Sequence, residues 1–286
     1  MVSVIIAAHN EEAVIGRCLD ALARQEVPGL QMIVSANGCT DQTAAVAAAH
    51  GATVIDRPEP GKAGALNAAE EVAADYPRIY LDADIVVPPH GLQELLDALA
   101  ASPDTLAAVP RRRVDTRGRT WPVRAYFAIN ERLPVFRDGL FGRGMIAVTE
   151  PGRRRFEVFP ALIADDLFLD SLFATSEKRE ATAVEVVVAA PMRTRDLVAR
   201  LTRVRRGNAQ MRAAGAEGDL EIAVRPSDRW AWLREVVAPN PRLAPAAVAY
   251  AAITAIAGLR ARRAQVGWGH DTSTRAATAN ESEVTA

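Results

Sequence analysis

Apolar runs of four to seven residues alternate with helix-patterned stretches through the first 110 residues, and no other feature restricts the fold as tightly. The periodicity predicts strands at 2–8, 31–36, 52–55, 78–81 and 106–110. Between them it predicts helices at 11–24, 43–50, 63–74 and 91–101. Helix 11–24 carries its apolar residues Val14, Ile15, Cys18, Leu19 and Leu22 on one face, as a helix packed on a sheet requires. A β-α rhythm of this kind implies an α/β fold whose strands are mostly parallel and covered by helices on both faces, a doubly wound sheet. Ligands of such sheets bind beyond the carboxyl ends of the strands.

Past residue 110 the alternation weakens. Helices are expected at 121–136, 166–174 and 194–212, strands at 145–149 and 184–188, and loop at 213–221. Residues 226–263 read as helical with interruptions at Pro239, Pro241 and Pro245. The tail from about Trp268 is rich in Thr, Ala, Ser and Glu and is expected to be disordered. The resulting division is 1–222 as the main domain, 223–266 as a helical extension and 267–286 as a tail.

A formal net charge of −1 argues against a broad nucleic-acid surface. Two cysteines make no disulfide framework, and no basic or cleavable leader precedes the first strand, so a reducing cytoplasm is the expected compartment. Residues 243–259 are uncharged for 17 positions, eight of them alanine, and run into Arg260, Arg262 and Arg263. That length is the lower edge of what a membrane span needs. A packed or surface-lying helix is the favoured expectation, with peripheral contact of 243–263 to the inner membrane face through the basic flank.

Polar clusters follow the strands. Ala8, Asn10 and Glu11 follow the first strand, where backbone and side chains can meet a nucleobase and ribose; capping of the next helix by Asn10 explains the same residues. Asn37 follows the second strand, and Asp41 beyond it suits a helix cap. Gly61-Lys62-Ala63-Gly64 lacks the Walker spacing but lets Lys62 and backbone approach a diphosphate at a helix start, with Asn67 one turn on. Asp82 and Asp84 close the fourth strand. If extended, they share one side, where their repulsion is relieved by a cation placed against a polyanion; a solvated turn is the plain alternative.

Together, S-V-I-I-A-A-H-N-E-E at 3–12, N-G-C-T-D at 37–41, G-K-A-G-A-L-N at 61–67, D-A-D at 82–84 and D-D at 165–166 occur in one order. In this the chain resembles family 2 glycosyltransferases over roughly residues 2–210. The resemblance implies a GT-A (Rossmann-like) fold and a metal-dependent, inverting transfer from a nucleotide-diphosphate sugar, UDP by default, to a hydroxyl acceptor in polysaccharide, cell-wall or glycolipid assembly. It implies nucleoside contacts from the loops at Ala8–Glu11 and Asn37. It makes Asp84 the direct ligand of Mg²⁺ or Mn²⁺, with Asp82 on the sugar or the metal's surroundings, and Asp166, beside Asp165, the base. Gly142 and Arg143 would line the donor and acceptor channel. Arg203, Arg205 and Arg206 stand where processive relatives carry Q-x-x-R-W and would meet phosphates, although Thr202 and Arg206 replace the Gln and Trp. A non-catalytic nucleotide-sugar-binding protein and a sugar-1-phosphate nucleotidyltransferase are the alternatives.

Overall fold

The computed structural model describes residues 1–161, 164–217 and 228–263. The chain runs β1 (Val2–Ala8), α1 (Glu12–Ala23), β2 (Leu30–Asn37), α2 (Thr43–Ala49), β3 (Thr53–Arg57), α3 (Lys62–Val72), β4 (Arg78–Leu81), α4 (Gly91–Ala100) and β5 (Ala107–Asp115). It continues through α5 (Trp121–Asn130), β6 (Met145–Val148), the short α6 (Glu150–Arg153), α7 (Asp165–Ser171), β7 (Lys178–Ala189), α8 (Thr194–Glu217) and α9 (Ala244–Arg263).

Among the described residues, seven strands form one sheet in the order β3-β2-β1-β4-β6-β5-β7. β1 pairs parallel with β2 and β4, and β2 parallel with β3, whereas β6 runs antiparallel to both β4 and β5. As a central parallel strand, β1 is apolar on both faces, and Val4, Ile5 and Ile6 are fully buried. On α1 the buried set includes the five residues that periodicity selects, Val14, Ile15, Cys18, Leu19 and Leu22. The chain leaves β1 toward β2 on one side and returns later to β4 on the other. The carboxyl ends of β1 and β4 therefore flank the switch in strand order where a crevice opens.

The described residues group into two compact units, the first of 1–112 and 140–187, the second of 113–139 with the described residues from 188 onward. In the second unit, α5, α8 and α9 pack around Val123, Tyr126, Ile129, Leu197, Tyr250 and Ile253, with Tyr126 and Tyr250 stacked at 5.0 Å. The expected boundaries at 222/223 and 266/267, and the expected tail, lie outside the described residues.

Several expectations need correction. The helix expected over 121–136 ends at Asn130, and Pro134 opens a separate 3₁₀ turn over Pro134–Phe136. Residues 213–217, expected as loop, continue α8, while 218–221 lie outside the described residues. β5 and β7 are longer than their apolar cores because polar residues such as Arg111–Arg113 and Lys178–Glu180 extend them. In 228–263, a π-helical turn at Trp232–Val237 and a 3₁₀ turn at Pro241–Leu243 precede the regular α9.

Candidate active site

The loop after β1 is hydrogen-bonded to the loop after β2. Asn10 sits in left-handed conformation (φ 54°), so it is not the cap of α1; that position belongs to Glu11. The Asn10 side chain instead accepts from the Thr40 amide at 2.8 Å, tying the first loop to the second. The Glu11 amide donates to the Thr43 hydroxyl at 2.7 Å, and that hydroxyl donates to Asp41. Burial alone would raise the Asp41 pKa, but hydrogen bonds from Thr43 and the Glu12 amide hold it below the ordinary carboxylate value. Asp41 thus steadies the start of α2 by accepting from the Thr43 amide at 3.0 Å, although Gln42, not Asp41, holds the cap position.

Asn37, expected against the nucleoside, is 1 % exposed, and its amide joins two loops. Its Nδ2 donates to the Ala8 carbonyl at 2.7 Å, while its Oδ1 accepts from the Gly61 amide at 2.9 Å. The carbonyl of Ala8 is therefore committed to protein. His9 Nδ1 donates to the Asn37 carbonyl at 2.6 Å. Asn67 uses both ends of its amide on the backbone of Phe159, at 3.0 and 2.7 Å, and so fixes the segment that precedes α7. Side-chain amides that could read a base from sequence are here spent on satisfying buried backbone groups.

Lys62 opens α3, and its Nζ lies 2.9 Å from both Asp82 Oδ1 and Asp165 Oδ2. One ammonium thus joins the carboxylates after β4 and at the start of α7. Beside them, Asp166 accepts from the Gly142 amide at 3.0 Å through Oδ2. Burial first, and the Asp165 charge second, push Asp166 up to about 7, with Lys62 and the Gly142 amide pulling the other way. A carboxyl so poised is available as a proton acceptor near neutrality.

Asp82 and Asp84 do not continue β4. The strand ends at Leu81, and a turn follows in which the Ile85 amide donates to the Asp82 carbonyl at 3.1 Å. Strand alternation therefore does not orient the two carboxylates; the turn does, with Ala83 buried, Asp82 half-buried and Asp84 exposed. Behind the turn, burial and then the Asp84 and Asp82 charges drive the Cys18 thiol up to about 12, an inert core thiol. Among the described residues no three His, Cys, Asp or Glu side chains gather to hold a metal by themselves. The donor set still suits a hard divalent ion, which binds through one or two carboxylates and takes its remaining oxygens from substrate phosphates and water.

Arg143, expected along the channel, is 3 % exposed, and its guanidinium donates to the Pro110 carbonyl at 2.8 Å and pairs with Glu180. Gly142 contributes its backbone amide, as described. Arg203, Arg205 and Arg206 lie on α8 in the second unit, where the Arg206 guanidinium meets the Arg260 carbonyl at 3.5 Å.

Sequence reading missed Asp170 and Lys178, a buried ion pair at 2.7 Å in which Asp170 also accepts from the Leu140 amide at 2.9 Å. The one signal available was that Asp170 follows Asp166 by one helical turn. It also missed a second buried node, where Glu70 lies 3.2 Å from Arg78, 3.1 Å from Arg153 and 2.6 Å from the Tyr80 hydroxyl.

Against known proteins, 4,4'-diaponeurosporenoate glycosyltransferase of Staphylococcus aureus (strain MRSA252) is 48% identical over 54 residues, which is 19% of this chain and 14% of that protein's length. The structure resembles a mannosyltransferase from Pyrobaculum calidifontis solved in complex with GDP-Man and Mn²⁺, with a TM-score of 0.59 and 20% identity over 99% of this chain and 79% of the other. It also resembles mannosyl-3-phosphoglycerate synthase from Rubrobacter xylanophilus, with a TM-score of 0.53 and 20% identity over 80% and 79% of the two chains. At these identities the likeness establishes the GT-A type of α/β fold. The profile of glycosyl transferase family 2 matches residues 3–154, more than half of the 286 residues, and the chain belongs to that family.

Proposed function

We propose that this protein is a metal-dependent, inverting glycosyltransferase that moves a sugar from a nucleotide-diphosphate donor, UDP-linked by preference, to a hydroxyl acceptor. One observation carries the reading: Lys62 bridges Asp82 and Asp165 at 2.9 Å each, which brings a phosphate-side corner together with the half-buried Asp166. Family membership supports the reaction class.

Asp84, with Asp82 beside it, would hold Mg²⁺ or Mn²⁺, which when bound neutralises the charge gathering on the departing diphosphate. Asp166 accepts the proton of the acceptor hydroxyl, and the freed oxygen attacks the anomeric carbon from the face opposite the diphosphate. The sugar–phosphate oxygen bond breaks in the same displacement, the nucleoside diphosphate leaves, and the anomeric configuration inverts. No bond between enzyme and sugar forms, so the reaction requires no Ser or Cys nucleophile. Lys62 holds Asp82 and Asp165 in place before the donor arrives and offers its charge to the phosphates once it is bound. Asn10, Glu11 and the loop at Asn37 frame the nucleoside through their backbone more than through their side chains.

Residues 243–263 supply a surface for peripheral contact with the inner face of the membrane, which suits a lipid-linked or growing glycan acceptor. α9 turns Ala247, Tyr250, Ile253 and Ala257 into the second unit and leaves Val248, Ile256 and Leu259 exposed, ahead of Arg260, Arg262 and Arg263.

The test is release of sugar from a panel of UDP- and GDP-sugars, with and without EDTA and with the Asp166→Asn variant. Transfer that EDTA abolishes, and that Asp166→Asn lowers by a factor of about 10³ or more with donor affinity retained, supports the reading. Pyrophosphate exchange instead of sugar release, or full activity in Asp166→Asn, refutes it.

A further inference from the structure

Resting on that reading, a second group of residues governs how the site is held. Five residues, Leu140 to Gly144, touch both halves of the chemistry. The Gly142 amide donates to Asp166 Oδ2 at 3.0 Å, and the Gly144 carbonyl accepts from the Asp82 amide at 2.8 Å. The loop therefore joins the base to the corner that meets the diphosphate. Gly142 and Gly144 both have positive φ, at 70° and 71°, so the backbone that makes these contacts is the kind most prone to wander when unrestrained.

Its restraint is the buried pair on the next elements. Asp170, on the same face of α7 as Asp166 and one turn later, accepts from the Leu140 amide at 2.9 Å. Lys178, at the start of β7, donates to Asp170 Oδ1 at 2.7 Å and to the Asp170 carbonyl at 2.6 Å. The two side chains are 6% and 2% exposed. A buried ion pair returns little net stability after desolvation, and its best-attested use is to specify one arrangement among several. Arg143 secures the far side of the loop through Pro110 and Glu180.

We propose that Asp170 and Lys178 are positioning residues: their ion pair clamps the Leu140–Gly144 loop and so holds Asp166 in register with Asp82. The pair touches neither sugar nor phosphate. It acts by setting where the Gly142 amide and the Gly144 carbonyl stand.

Two variants test this. Asp170→Asn keeps an oxygen for the Leu140 amide but removes the charge. The double variant Asp170→Asn with Lys178→Met removes the pair without stranding a buried ammonium, and so folds where the single change does not. Hydrogen exchange of the peptide spanning the loop is measured alongside kcat and donor KM, each expressed per folded molecule. The clamp predicts faster exchange at Leu140–Gly144 and a kcat lower by about 10–100-fold, a larger change than in donor KM, since a displacement near 1 Å is enough for such a loss. Lys178→Arg alone, which keeps the charge facing Asp170, retains most of kcat. Unchanged loop exchange in an active enzyme, or a kcat per folded molecule equal to wild type, overturns the clamp alone. Absence of sugar transfer by the wild-type protein overturns the transferase reading and the proposal with it, and loop exchange, read independently of turnover, tells the two failures apart.

Discussion

Gly144→Ala is the substitution whose cost follows most directly from the coordinates. Gly144 has φ +71°, and a Cβ built there would lie 2.5 Å from Ile85 Cγ1 and 2.6 Å from Cδ1. Left-handed backbone costs an L side chain about 1–2 kcal/mol. The clash adds a second penalty, because Ile85 is 2% exposed and its β-branched χ1 cannot swing aside in a packed interior. Overpacking of this kind costs about 1–3 kcal/mol, so the total is about 2–5 kcal/mol. Gly51→Ala is the control: Gly51 has φ +81° with no atom within 4 Å of the added carbon, so only the backbone term, about 1–2 kcal/mol, remains. Urea unfolding followed by circular dichroism compares the two. Combining Gly144→Ala with Ile85→Ala relieves the clash, so the double variant is destabilised by about 0.5–3 kcal/mol less than the sum of the singles. Equal unfolding midpoints for Gly144→Ala and Gly51→Ala, or strict additivity with Ile85→Ala, would refute the contact. Because the Gly144 carbonyl accepts from the Asp82 amide, turnover falls in Gly144→Ala and not in Gly51→Ala.

Turnover rises with pH along a limb that levels off near 7, because Asp166, raised to about 7, works as a base only when ionised; a pH–rate profile without that limb, or with one near pH 4, contradicts the assignment. The same shift affects stability with a definite sign. Folded Asp166 keeps its proton between the ordinary value of 3.8 and about 7, so its contribution is full below 3.8 and is lost as pH rises through about 7; Asp166→Asn, which cannot ionise, removes that decline in urea midpoints. Glu70→Gln leaves Arg78 and Arg153 without their shared carboxylate at a node where the three side chains are 10%, 5% and 11% exposed. It destabilises the protein by about 3–5 kcal/mol in urea unfolding, and a loss below about 1 kcal/mol would mean the node is solvated.

Most of the fold was legible from periodicity because burial acts locally there. A strand buried on both faces must be continuously apolar, and a helix packed on a sheet must repeat its apolar residues along one stripe, so β1 and α1 lie where their patterns place them. Legibility failed where pairing, not composition, makes the structure. The polar ends of β5 and β7 join the sheet without apolar residues to announce them. Sequence leaves the acidic residues after β4 open to extended strand or turn; the Asp82 amide still bonds across to the Gly144 carbonyl, and only then does the Ile85 amide close a turn on the Asp82 carbonyl.

Residue types and their order along the chain determined the α/β class, the family, and the carboxylates and lysine available for chemistry. Only the tertiary structure decided which side chains gather at the Lys62 corner and which are consumed in holding loops together. Asn37 and Arg143 look like ligand residues in sequence and are turned onto protein backbone. Asp170 and Lys178, which carry no motif, form the buried pair that grips the loop beside Asp166. The physical reason is that a polar group's role depends on who satisfies its hydrogen bonds, and those partners come from residues distant in sequence.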